Sequence, residues 1–241
     1  MVRNGSGQTV REKLLTEMRS GIFAGQERLP RESVLAQMLG ISRTQLRDSL
    51  GSLEREGFIS RRHGIGTVIN HHVLDVTTRM DLETEFMDMI RNAGYCPSIA
   101  FVEHEEFYCG EDIAKRLKIS QGEPVLKVSR LITADGKPAI YCEDYIDCGK
   151  IKDNSYNEES LTMPIFHFLE KYCGLTSAMD LTEIRPAVAD ARLAGIFGIP
   201  QGTPLLYMDE VDYDIGGEPI FCSAEYYADG IIKHTVMRKK F

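Results

Sequence analysis

A repeat inside the chain limits its fold more than any other feature. The run Ile119-Ser120-Gln121-Gly122-Glu123-Pro124-Val125-Leu126 is matched by Ile199-Pro200-Gln201-Gly202-Thr203-Pro204-Leu205-Leu206. A short helical stretch precedes each copy, Ile113-Ala114 with Leu117 in one and Leu193-Ala194 with Phe197 in the other. A Gly-x-Pro turn follows each, Gly136-Lys137-Pro138 and Gly217-Glu218-Pro219, and then a strand that reaches Asp144-Tyr145 or Glu225-Tyr226. Each copy therefore reads as helix, tight turn, strand, hairpin, strand. Two such copies predict an antiparallel sheet with helices on one side and a pseudo-twofold relation. They are too few and too short for a solenoid, so the fold class expected is α+β.

The N-terminal segment has a different pattern. Thr9-Val10-Arg11-Glu12 is a T-x-x-E capping box ahead of Val10, Leu14 and Met18, which are spaced by four on one helical face, and Gly21 is the expected stop. Leu29-Pro30 opens a second helix with Leu35, Met38 and Leu39 inward, closed by Gly40. Ser42-Arg43-Thr44-Gln45 is another capping box, and Leu46, Leu50 and Leu53 carry the apolar stripe to Gly57. Two short helices joined by a tight Gly-containing turn are the mark of a helix-turn-helix. Phe58–Arg62 and Thr67–Ile69 read as strands joined by His63-Gly64-Ile65-Gly66, which adds a β-wing.

Charge supports this division. The whole chain carries a net charge of −8, an unpromising total for a nucleic-acid binder. Residues 1–72 hold 11 Lys and Arg against 7 Asp and Glu, net +4, which leaves −12 on the remainder. A basic head of this kind is suited to a polyanion. Arg43 and Arg47 are i, i+4 neighbours, and Arg43, Thr44 and Gln45 fill the first turn of the third helix, the part that enters the major groove in helix-turn-helix proteins. Arginine can bridge guanine O6 and N7, and glutamine can pair with adenine. Ser42 caps the helix, whose free N–H groups favour a phosphate. Arg61, Arg62 and His63 at the wing can reach phosphate or a minor groove. A solvated helix face is the plainer alternative for two arginines, but capping, spacing, wing and charge agree against it.

From Leu29 to Val68 the chain resembles the GntR family of bacterial transcription regulators. The matching residues are Leu29-Pro30, Glu32, Leu35-Ala36, Gly40-Ile41-Ser42-Arg43-Thr44, Arg47, Leu50, Leu53-Glu54, Glu56-Gly57 and Gly64-x-Gly66-Thr67. The resemblance implies DNA contact by Arg43, Thr44, Arg47 and the Gly64–Gly66 wing tip. Arg31 and Gln45 stand where the family usually has a serine and a second threonine; both remain able to touch DNA and would alter the operator read. The DNA-binding set expected is thus Arg31, Ser42, Arg43, Thr44, Gln45, Arg47, His63, Gly64 and Gly66.

Residues 80–241 resemble the effector-binding UTRA domain of the HutC subfamily, related in fold to chorismate lyase. The resemblance rests on Arg130-Leu131 with Asp135-Gly136-x-Pro138, Gly202-x-Pro204-Leu205-Leu206, and Tyr213 with Gly217-x-Pro219 and Ser223. The stretch Ile165–Tyr172 fits the family's central helix. The resemblance implies a homodimeric sensor of a small metabolite, bound against the sheet by Arg130, Glu143, Glu225 and Tyr227. Arg130 would clamp a carboxylate or phosphate, and the glutamates would accept from hydroxyl or amine groups. Arg185 joins this set from a strand on which it shares a face with Glu183. Ion pairs on a solvated sheet face are the alternative for all these charges. Pro164 stands where sugar-phosphate binders commonly have a serine, with Thr162 just before it. Ala228-Asp229 follow Tyr227 where an arginine is usual. Both departures count against a sugar phosphate.

The division expected is a winged helix-turn-helix at 1–69, a linker at 70–80 where periodicity is weak, and an effector-binding and dimerisation domain at 81–241. Within the last, Leu82 to Ala93 predicts an amphipathic helix ending at Gly94. His71 and His72 do not share a helix face and read as solvated side chains. The six cysteines show no C-x-x-C pair, so free thiols and no structural metal are expected. There is no signal-like N-terminus and no apolar run of about 18 residues. The function expected is a cytoplasmic, metabolite-responsive repressor acting on double-stranded operator DNA, with neither cofactor nor membrane. The competing readings are a chorismate lyase-like enzyme fused to a DNA-binding head and a scaffold without a ligand cavity. The enzyme reading lacks a readable nucleophile–base pair, metal spacing or phosphate loop, and fold alone does not decide between them.

Overall fold

A computed structural model describes residues 9–239 and divides the chain into two compact units after Thr77. The first eight residues of the expected first domain and the last two of the second lie outside the described residues. None of the described helices is long and apolar enough to cross a membrane.

The first unit holds helices α1 (Val10–Arg19), α2 (Glu32–Leu39) and α3 (Arg43–Arg55), strands β1 (Ile59–Arg62) and β2 (Gly66–Ile69), and a single-turn α4 (His71–Leu74). Both expected capping boxes form: Thr9 with Glu12 on α1 and Ser42 with Gln45 on α3. Gly40 ends α2 in the left-handed conformation (φ 65°), where a side chain would be strained. Leu14, Leu35, Leu46, Leu50 and Leu53 are buried together with Phe23 and Phe58. Burial of each such side chain contributes about 1.5–3 kcal/mol. Met38, expected inward, is half exposed, so α2 buries only Leu35 and Ala36. Strands β1 and β2 pair antiparallel from Ile59↔Ile69 to Arg62↔Gly66. Leu29 N–H donates to Thr67 O at 3.0 Å, fastening the entry to α2 onto the wing.

Segment 70–80 is not a free linker. Val73 and Leu74 of α4 are buried, and the boundary falls three residues later. Strand β3 (Thr78–Arg79) belongs to the second unit, where it pairs in parallel with β10 (His234–Thr235).

The second unit is built on a six-stranded antiparallel sheet. Its strands are β4 (Pro97–Tyr108), β5 (Pro124–Ala134), β6 (Lys137–Asp147), β7 (Met179–Val188), β8 (Pro204–Tyr213) and β9 (Pro219–Ala228), in the order β4-β5-β6-β9-β8-β7. That order reads the same from either edge once the copies are exchanged, which is the pseudo-twofold the repeat predicts. Each copy also has a leading strand, β4 or β7, before its helix, α6 (Glu111–Leu117) or α8 (Ala191–Phe197). Both hairpins carry an extra residue just after the Gly-x-Pro turn: the register passes from Thr133↔Pro138 to Ile132↔Ile140, and from Tyr213↔Pro219 to Asp212↔Phe221. The same β-bulge thus occurs twice, and each reverses which residues share a face beyond it.

Helices cover both faces of the sheet, not one. Leu117 of α6 packs on Val125 and Cys222, and Leu193 and Phe197 of α8 pack on Leu131 and Tyr141. The opposite face meets α5 (Phe86–Asn92) at Ile132, Ile140 and Met208. It also meets α7 (Ile165–Phe168), which runs on as a π-helical turn to Cys173, at Leu126, Val128 and Ile146. Helix α5 is shorter than the expected Leu82–Ala93, because residues 81–85 are drawn out to form the wall of a cavity. All six cysteines are free.

Candidate DNA-binding and effector sites

On the first unit, Ser42 Oγ accepts from Gln45 N–H at 3.2 Å, and Gln45 Oε1 accepts in return from Ser42 N–H at 3.2 Å. Both side chains therefore brace the start of α3, and Gln45 has only its amide N–H groups left for a base. Arg43 and Thr44 of this first turn, and Arg47 one turn on from Arg43, project into solvent. Arg47 reaches Glu32 only at 3.9 Å, too long and too exposed a pair to hold it. Arg31 is exposed at the N-terminus of α2. At the wing, Gly64 (φ 75°) and Gly66 (φ 101°) make a turn that L side chains resist, and His63 is exposed beside them. Arg28 Nη1 donates to Ile65 O at 3.3 Å and steadies the tip. Arg61 is tied back to Glu54 of α3 at 2.6 Å, which leaves Arg62 as the outward cation of β1. The exposed first turn of α3, flanked by a rigid wing, is the geometry of a groove-reading helix with phosphate contacts beside it.

On the second unit, a cavity of about 470 Å³ lies on the α5/α7 face of the sheet. Its floor includes Arg130, Asp144, Met208, Glu210, Asp212, Glu225 and Tyr227, and its walls come from segments 79–89 and 162–166 and from His234. Of the residues expected to hold an effector, the fold brings Arg130, Glu225 and Tyr227 together here. It does not bring Glu143 or Arg185. The bulge after Pro138 pairs Arg130 with Cys142, so Glu143 stands opposite Ser129 on the other face. There it meets Lys127 and Arg192, each at 3.0 Å. Arg185 is exposed on that same far face, paired with Glu183 at 2.6 Å. For these two, the ion-pair alternative describes the structure.

The charge of Arg130 is met from within. It pairs with Asp144, and its Nη1 donates to Met163 O at 2.9 Å. Burial opposes its charge, but Asp144 more than offsets this and holds its pKa above the ordinary arginine value. Only Nε lacks an acceptor among the described residues. Arg79 is likewise paired, with Asp81. The carboxyls of the second copy lack such partners. Burial, reinforced by neighbouring carboxylates, lifts Glu210 to about 7, and burial lifts Asp212 to about 6. Glu225 is held well above the carboxylate range by burial and then by Glu210, with which it shares a hydrogen bond. Tyr227 O–H donates to Glu225. Asp212, Glu210 and the segment 81–85 escaped sequence reasoning. For Glu210 alone there is a signal, the alignment of the two repeats, which places it at the position of Arg130.

A winged helix-turn-helix joined to a cavity-bearing α+β domain defines the class: a DNA-binding transcription regulator with an effector domain. Comparison with known proteins agrees. Residues 6–69 match the model of bacterial regulatory proteins of the gntR family, and residues 92–229 match the UTRA domain. The chain belongs to the GntR family and carries a UTRA domain. It is 24% identical over 207 residues to the HTH-type transcriptional repressor NagR of Bacillus subtilis, covering 85% of this chain and 82% of that protein. It is 26% identical to the HTH-type transcriptional regulator Rv0792c of Mycobacterium tuberculosis, over 80% of this chain and 71% of that one. In fold it resembles YydK of Bacillus subtilis, with a TM-score of 0.74 at 19% identity over 96% of this chain and 98% of that one. PhnF of Mycobacterium smegmatis gives 0.60 at 20% identity, over 95% and 99%.

Proposed function

We propose that this chain is a cytoplasmic homodimeric repressor of the HutC type, whose hold on operator DNA is set by a small metabolite in the cavity of its second unit. The observation that carries the reading is the capped α3, which presents Arg43, Thr44 and Arg47 to solvent beside a braced wing, on the same chain as a cavity lined by both apolar and charged side chains. Two heads on a dimer would read half-sites one helical turn, or a multiple of it, apart. Arg43 and Arg47 read bases; Arg31, Thr44, Arg62, His63 and the N–H groups at Gly64 and Gly66 hold phosphate; Ser42 and Gln45 set the helix start. Arg130, Glu225 and Tyr227 line the effector site together with Glu210 and Asp212. The effector acts through unequal affinity for two arrangements of the heads, since equal affinity would shift nothing.

The test is selection of random DNA by the full-length protein at fixed salt. An inverted repeat is expected, and Arg43→Ala/Arg47→Ala should bind the selected site on the order of 100-fold or more weakly with unchanged circular dichroism, since a bidentate base contact is worth about 1–3 kcal/mol. Selection of no sequence, or full affinity in the double variant, would overturn the reading.

A further inference from the structure

One matched pair of positions sets the two copies apart at the cavity floor. In the first copy Arg130 of β5 lies diagonally across from Asp144 of β6, and the two form a buried ion pair. Carried to the second copy through the matched runs and the matched bulges, Arg130 corresponds to Glu210 of β8, and Asp144 to Glu225 of β9. The second copy thus has the carboxylate of the pair twice and the guanidinium not at all. Around it, Thr182 Oγ lies 2.7 Å from Asp180 and 2.9 Å from Glu210, one proton between two acceptors.

A second, independent observation comes from Asp212. It is 1% exposed and lines the cavity; its Oδ2 accepts from Ser177 at 2.9 Å, while its Oδ1 has no hydrogen-bond partner among the described residues. Among the described residues no cation of the cavity is left over to serve these groups, because Arg79 and Arg130 are each neutralised by their own aspartate. His234 offers both ring nitrogens without partners, and burial depresses its pKa, so it faces the cavity as a neutral imidazole. Among the described residues, no group of acids is arranged to hold a metal ion. Phe86, Ile132, Ile165, Phe166, Met208 and Phe221 give the lining its apolar part, and Glu83, Glu85 and Asp180 add further carboxyls to it.

We infer that the cavity takes a small organic cation, an amine or guanidine on an apolar alkyl or aryl body, whose charged end sits among Glu210, Glu225 and Asp212 in the place that the Arg130 guanidinium fills in the first copy. This rests on reading the cavity as the effector site. An anion would meet unpaired carboxyls and no available guanidinium, whereas a cation gives those acceptors donors and the apolar body covers the aromatic wall. The unpaired Nε of Arg130 remains for a hydroxyl or carbonyl oxygen on the ligand.

The experiment is a melting panel on the full-length protein with 2-phenylethylamine, hexylamine and agmatine, their neutral counterparts 2-phenylethanol and hexanol, and the anions 3-phenylpropionate and glucose 6-phosphate. The cations should raise the melting temperature by about 3 °C or more at saturation. The neutral and anionic compounds should not. Asp212→Asn and Glu210→Gln should each abolish the response, and Glu210→Arg, which supplies the missing guanidinium from within, should abolish it while melting no lower than the parent. Should Glu210→Arg fail to fold, the two conservative variants carry the test. A shift with the anions and none with the cations, or a cation shift untouched by both conservative variants, overturns the inference and leaves the sensor reading standing. A cation shift with no change in operator affinity would instead leave the site and remove the regulatory reading.

Discussion

The two halves of the second unit share a topology, a turn motif and a bulge, yet one is closed on itself and the other is left open. In the first copy, Arg130 and Asp144 neutralise each other, and Leu126, Val128 and Ile146 pack against α7 with no polar atom to serve. In the second, Glu210, Asp212 and Glu225 face a cavity whose arginines, Arg79 and Arg130, are each paired with an aspartate of their own. Strand β5 is buried along nearly its whole length, whereas its counterpart β8 is mostly half-buried. A duplicated fold needs one half to be a stable platform; the other can then hold unpaired charge whose desolvation is relieved when a ligand arrives. The difference lies in side chains at matched positions, since the backbone is common to both.

The largest effect should come from breaking the closed copy. Arg130→Met leaves Asp144 buried without its partner and should cost the second unit about 3–5 kcal/mol in denaturant unfolding. Arg130→Met/Asp144→Leu should recover most of that loss; equal loss in both variants would show that the pair is not what closes this copy.

A smaller effect of opposite sign is expected in the open copy. Glu210→Gln removes one of two facing carboxyls and should raise the melting temperature of the unliganded protein at pH 8 by roughly 2–4 °C, the scale of a 1 kcal/mol change in a domain of this size. A lower melting temperature would mean that Glu210 already has a cationic partner.

The pH profile sharpens the same contrast. Asp212, at about 6, and Glu83 and Glu210, at about 7, titrate above their unfolded values because burial and neighbouring carboxylates disfavour the charge. Raised carboxyls bind protons more tightly in the folded state, so their contribution is full below about pH 4 and is lost as pH rises through 6 and 7. The second unit should therefore melt at progressively lower temperature between pH 5 and 8, and Asp212→Asn/Glu210→Gln should flatten that slope. A parent curve that rises over this range would refute the assignment.

Least of all should follow from Arg185→Ala. That side chain pairs with Glu183 in solvent on the far face, so neither melting nor the response to a ligand should change measurably.

How far these features could be read from the sequence depended on whether the determinants were local. The first unit was legible almost to the residue, because Thr9, Ser42, Gly40 and the wing glycines act within one turn of themselves. Met38 was misplaced since only Leu35 and Ala36 of α2 meet the core. Strand β4 went unread because Glu103-His104-Glu105-Glu106 breaks the alternation that betrays a half-buried strand. Glu143 is joined to Arg130 only by what the family resemblance implies; the extra residue at Ala139 makes Cys142 the partner of Arg130 and turns Glu143 to the other face. Residues 81–85 have helical composition but are claimed by the cavity wall, a tertiary demand that no local pattern announces. Glu210 was hidden for the opposite reason: it resembles any surface glutamate until it is set against Arg130 in the other copy.

Operator affinity measured while the cavity fills tests the account most directly. In a fluorescence-anisotropy titration of the selected operator, the amine that most raises the melting temperature should change the dissociation constant by about fivefold or more, a usual size for coupling between sites. The Asp212→Asn/Glu210→Gln protein should bind the same operator with parental affinity and not respond. An operator affinity that stays constant while the amine saturates the parent protein would contradict the claim that this cavity governs DNA binding.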